Sequence, residues 1–137
     1  MLYSRQTGGS VEDAVRRLEG AARERRFGVL GVIDLRARMA EKGVEFEPGC
    51  TIVEVCNPVL AARMLAQLPS LAASLPCRIA AYEDGGGVTV ATVRPTALLA
   101  LHPGSEALRP VAGEVEASIV AIVDAACEEQ PQGRQDR

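Results

Sequence analysis

Three consecutive glycines, Gly85-Gly86-Gly87, follow Asp84 and stand between two segments with strand character, Cys77–Glu83 and Val88–Arg94. Glycine adopts the positive φ of tight hairpin turns at no steric cost. The pattern therefore predicts a β-hairpin, which is stable only if further strands or helices cover one of its faces. Candidate strands lie upstream. Phe27-Gly28-Val29-Leu30-Gly31-Val32-Ile33 is a largely apolar run, suited to a strand buried on both faces. Cys50–Cys56 is rich in β-branched residues, and Leu2–Gln6 reads as a short first strand.

Between these segments the period changes to that of helices. Ser10 with Asp13 forms a capping-box pattern, and Val11, Val15, Leu18 and Ala22 mark one helical face to about Arg26. Arg16, Arg17 and Arg23 each follow an acid at i,i+4 (Glu12, Asp13, Glu19), which predicts solvated surface arginines rather than a basic docking patch. Asp34 is placed to cap a short helix, Leu35–Lys42, stopped by Gly43. Asn57-Pro58 pairs a capping residue with proline at the first helical position, opening a helix to about Gln67. Pro69 and Pro76 bracket a connector. Pro95–Leu101 is one helical turn or a bent continuation of the sheet, broken by His102-Pro103-Gly104. A last amphipathic helix over about Val111–Cys127 places Val115, Ile119, Ile122 and Ala126 on one face. The expectation is one two-layer α+β domain over residues 1–128, with a mixed sheet of about five strands and helices packed on it. Residues 129–137 are polar and are expected to form a loose tail.

The 137 residues, 47% apolar and 24% charged, suffice for a self-supporting core and exclude a disordered or disulfide-scaffold class. A net charge of −3 and only 3% aromatic residues argue against a nucleic-acid partner. The apolar runs are far too short to span a membrane. Met1-Leu2-Tyr3-Ser4-Arg5 carries no basic segment leading into an apolar stretch, so the expected compartment is the cytoplasm. Four cysteines, Cys50, Cys56, Cys77 and Cys127, then read first as buried thiols, since their spacing fits no zinc ribbon or C-x-x-C pattern.

Cys56-Asn57-Pro58 and Leu75-Pro76-Cys77, together with Phe27-Gly28-Val29, the stretch Glu54–Ala61 and Tyr82-Glu83, resemble the DUF302 family of small bacterial and archaeal domains. The resemblance runs from roughly Tyr3 to Cys127 in the family's order of elements. It implies an α+β fold and a homodimer, and it imports no mechanism, because that family is named for an unknown function. Cys50 and Cys127 lie outside the shared pattern, which makes them poorer functional candidates.

Cys56 precedes a helix start, where backbone N–H groups favour an anion and lower a thiol pKa. The plain alternative is a small apolar residue filling the strand-to-helix corner. A disulfide or shared metal between Cys56 and Cys77 depends on strand direction. If the two strands run parallel, as a strand–helix–strand connection favours, the thiols sit at opposite ends of a strand roughly 20 Å long. If they run antiparallel, the thiols can meet. Glu54 shares a strand face with Cys56 and is expected to be exposed or paired with an arginine such as Arg78. Glu83 and Asp84 flank the glycine turn and read as solvated. His102, the single histidine, reads as a surface-loop residue, with nothing in the spacing to bring it near Cys56.

The resulting expectation is a homodimeric binding module for a small ligand or protein partner, non-catalytic, with Glu54, Cys56, Asn57, Pro58, Pro76 and Cys77 as candidate binding residues. No cofactor is expected. The alternative is a thiol-based redox or metal-responsive protein using Cys56 with Cys77. An enzyme ranks behind both, since no nucleophile, base and orienting group can be assembled from the sequence.

Overall fold

The computed structural model describes residues 1–128, so the expected tail at 129–137 lies outside the described residues. In chain order the elements are β1 (Leu2–Thr7), α1 (Val11–Glu24), β2 (Gly28–Asp34), α2 (Leu35–Glu41), β3 (Cys50–Cys56), α3 (Pro58–Gln67), β4 (Cys77–Asp84), β5 (Gly87–Val93), α4 (Pro95–Leu99) and α5 (Arg109–Cys127). Short 3-10 turns at Pro69–Ser74 and Glu106–Leu108 complete the chain. The ambiguous segment after β5 is thus helical.

The strands form one sheet in the order β1-β5-β4-β3-β2, so β1 and β2 are its edges, and β2, expected to be buried on both faces, is partly exposed because no strand pairs with its outer side. All four pairings are antiparallel, which corrects the expected mixed sheet. The reason lies in the connector between β3 and β4. The 3-10 turn Pro69–Ser74 packs back against α3, so the chain re-enters the sheet at the end it left. The glycine hairpin forms as its composition requires, with Gly85 and Gly86 at φ +61 and +89.

α1 and α5 pack against each other and cover one face of the sheet. Leu18 of α1 and Ile119, Ile122 and Val123 of α5 are fully buried against Val53, Val55, Ile79 and Val90. Each such aliphatic side chain contributes about 1.5–3 kcal/mol of transfer free energy before entropy is counted. The Ser10–Asp13 capping box closes the start of α1. Arg17 departs from the expected surface position: its Nε donates to the Ala126 carbonyl at 2.7 Å, tying α1 to the end of α5.

α4 lacks a side-chain cap from its own N-cap residue, Arg94. Glu116 of α5 supplies one instead, accepting from the Thr96 backbone N–H at 3.1 Å and the Thr96 hydroxyl at 2.6 Å. Arg94 adds an ion pair to the same carboxylate at 3.4 Å. The position of α4 is therefore set by α5, and α4 forms one wall of the site described next.

Candidate functional site

The ends of β3 and β4 meet the start of α3, the turn Pro69–Ser74 and α4 around an apolar cavity of about 40 Å³. Cys56, Asn57 and Cys77 all line it, with Ala61 and Met64 from α3, Leu71 and Ser74 from the turn, and Leu98 and Leu99 from α4. Antiparallel pairing explains the convergence. Val55 lies opposite Cys77, so Cys56 and Cys77 occupy the same end of the sheet. The expectation of distant thiols on parallel strands is corrected here.

Burial pushes the Cys56 thiol above the ordinary range, which fits the small corner-filling residue and not a thiol acidified by the helix start. The Asn57 side chain accounts for the difference. Its Oδ1 accepts from the N–H groups of Val59 and Leu60, both at 3.1 Å, and so occupies the donors that a thiolate needs. Cys77 is more deeply buried and is pushed up to about 11, by burial first and by Cys56 second. Neither thiol is an activated nucleophile at neutral pH. All four cysteines are free, and among the described residues no three His, Cys, Asp or Glu side chains gather to hold a metal ion.

A second groove, of about 260 Å³, adjoins the cavity, lined by Pro76, Arg78 and Val93 among others. Ser74, Leu75 and Leu98 form the wall common to both. Pro76 follows a cis Leu75–Pro76 bond and belongs to this groove rather than to the cavity. Arg78 Nε pairs with Glu54 Oε2 at 3.4 Å, directly across the β3–β4 register. Glu54 thus stands outside the cavity in an arginine pair, as expected for a strand-face carboxylate. Gly31 gives that carboxylate its space, since a Cβ there meets Glu54 Oε1 at 2.9 Å. Pro58 is exposed at the first turn of α3 and does not line the cavity. Glu83 is not simply solvated: its Oε1 accepts from the Gly49 N–H at 2.6 Å.

His102, expected as a surface-loop residue, and Ser74, which its sequence context does not single out, complete the site. His102 is half-buried, and both of its ring nitrogens are held by serines. Nε2 lies 2.8 Å from Ser74 Oγ, and Nδ1 lies 3.2 Å from Ser70 Oγ. The only trace of this in the sequence is the i,i+4 spacing of Ser70 and Ser74, which becomes informative once α4 carries His102 back over the turn.

The family model for DUF302, a domain of unknown function, matches residues 3–126. A crystal structure of an uncharacterised conserved DUF302 protein from Bacillus stearothermophilus superposes with a TM-score of 0.86 at 29% identity, covering 93% of this chain and 98% of that one. Comparison with the curated proteins finds no match. No helix among the described residues is long and apolar enough to cross a membrane. With a match spanning nearly all of the described residues and a fold shared end to end, the chain belongs to the DUF302 family.

Proposed function

We propose that this domain is a small-ligand-binding module whose site is the apolar cavity at the end of β3 and β4. The observation that carries the reading is the convergence of Cys56, Asn57 and Cys77 on that one cavity. A space of about 40 Å³ accommodates roughly three heavy atoms. In the adjoining groove Arg78 is 71% exposed and pairs with Glu54 through Nε, which keeps its two terminal amino groups for a negatively charged group. Together they suit a short-chain carboxylate, its alkyl end in the cavity and its carboxylate toward Arg78. Thermal unfolding with butyrate tests this: butyrate raises the melting temperature in proportion to the logarithm of its concentration. Equal melting temperatures in butyrate and in chloride at matched ionic strength reject it.

A second reading draws on the same convergence. Cys56 and Cys77 line the same cavity, which supports a thiol-based redox or metal-responsive role, with a soft ion such as Cu(I) as the metal. The raised thiol pKa values weigh against a fast redox response. Retention of both thiols after mild peroxide, with no copper-dependent stabilisation, removes this alternative.

We also propose that the domain pairs with a second copy through β2. This strand is a sheet edge, and it exposes Leu30 and Val32 at 63% and 43%. An apolar edge with open hydrogen-bonding groups is a template for strand addition.

A further inference from the structure

We propose that Ser74 is an acyl-accepting nucleophile with His102 as its base, and that the site acts on esters or thioesters of short unbranched acids. The inference rests on the cavity reading above and adds a reaction to it. Among the described residues Ser74 is the sole hydroxyl on the cavity wall, and it stands where the cavity meets the outer groove. An acyl chain in the cavity brings its carbonyl to this wall, with the leaving group toward Arg78.

Two tautomers of His102 satisfy both serine contacts. The one with Nδ1–H donating to Ser70 Oγ leaves Nε2 unprotonated and accepting from the Ser74 hydroxyl, the arrangement of nucleophile, base and orienting group used in acyl transfer. Ser70 is then a positioning residue. Asn57 is the sole side-chain amide that the described residues bring to the cavity. Its Oδ1 is fixed by capping α3, which leaves its NH2 to donate to a developing oxyanion.

In the acylation step Ser74 Oγ forms a bond to the carbonyl carbon as its proton passes to His102 Nε2. The tetrahedral oxyanion collapses, the bond to the alcohol or thiol breaks, and Nε2 returns the proton to that leaving group. Water then repeats the sequence on the acyl-serine, releasing the carboxylic acid and restoring both side chains. The product acid is the ligand class that the cavity and Arg78 fit.

The test uses the wild-type protein with p-nitrophenyl butyrate, and with an alkyl fluorophosphonate followed by peptide mapping. The expected result is nitrophenolate release and a phosphonyl group on Ser74. Ser74→Ala abolishes both, and His102→Gln lowers turnover by about 100-fold or more. Ser70→Ala lowers kcat with KM unchanged, and Ser70→Thr, which keeps the hydroxyl, restores it. Where a variant fails to fold, mapping on the wild type decides alone. Modification confined to cysteines, or no turnover in protein that still gains stability from butyrate, overturns the nucleophile and leaves the binding role standing. Absence of both turnover and butyrate stabilisation overturns the two together.

Discussion

Cys56 and Cys77 line a single apolar cavity because Val55 and Cys77 face each other across the antiparallel β3–β4 pair. Their environments differ. Cys56 is half-buried, and Cys77 is buried with its thiol pushed up to about 11. Alkylation proceeds through the thiolate, so accessibility and acidity act in the same direction. Iodoacetamide at neutral pH will modify Cys56 before Cys77. Timed quenching and peptide mapping check the order, and equal rates at the two sites contradict it.

The raised Cys77 pKa also has a consequence for stability. Between the ordinary thiol value near 9.0 and about 11, the unfolded chain loses this proton while the folded chain keeps it. The folded state then binds more protons, so stability falls as pH rises through this window. A shift of this size corresponds to about 2–3 kcal/mol once the pH exceeds both values. Denaturant unfolding at pH 8 and pH 11 measures the loss, and Cys77→Ala will show a smaller decline than the wild type.

Glu116 operates at the other end of the pH scale. Burial raises its pKa, but hydrogen bonds from Thr96 and the Arg94 ion pair outweigh burial and hold the carboxyl below its ordinary value. A depressed carboxyl stabilises the fold above its unfolded pKa, and that contribution is lost as pH falls through the folded value. Glu116→Ala will cost about 1–3 kcal/mol at pH 7, since it leaves the Thr96 N–H without its acceptor. The deficit relative to the wild type will shrink in acid, as equilibrium unfolding at pH 7 and pH 3 can show. Because Glu116 fixes α4, the same variant will weaken butyrate stabilisation.

Local chemistry made the helix starts and the hairpin legible. Ser10, Asp34 and Asn57 cap helices as their positions suggest, and Gly85 and Gly86 close the β4–β5 turn. Strand direction was not legible, because it depends on how the Pro69–Ser74 turn packs back on α3. Nothing within a few residues of Cys56 or Cys77 encodes that packing. Half of the site was visible for the same reason. Cys56, Asn57 and Cys77 stand out by residue type, whereas Ser74 and His102 gain meaning from a contact between segments 28 residues apart. Glu116 belongs with these: a glutamate on an amphipathic helix looks solvated until α4 is laid across it.

The edge strand yields a prediction about assembly. Leu30 is 63% exposed on β2, so Leu30→Glu removes little from the core of one copy. It does place a charge on the face proposed to meet a second copy. Light scattering at tens of micromolar will give a dimer for the wild type and a monomer for Leu30→Glu, with similar circular dichroism. A wild-type monomer rejects pairing through β2.

The cavity itself can be closed without disturbing its chemistry. Ala61 lies on α3 and lines the cavity, and leucine is nearly as good a helix former as alanine. Ala61→Leu adds three carbons to a space of about 40 Å³, which is roughly the size of the alkyl group the cavity is proposed to take. Filling an apolar void restores contacts that its lining lacks, so the variant will melt at or above the wild-type temperature. Butyrate will no longer stabilise it, because the added side chain occupies the ligand's place. Calorimetry with and without butyrate separates the two effects. A variant that melts normally and still responds to butyrate would show that the ligand binds elsewhere.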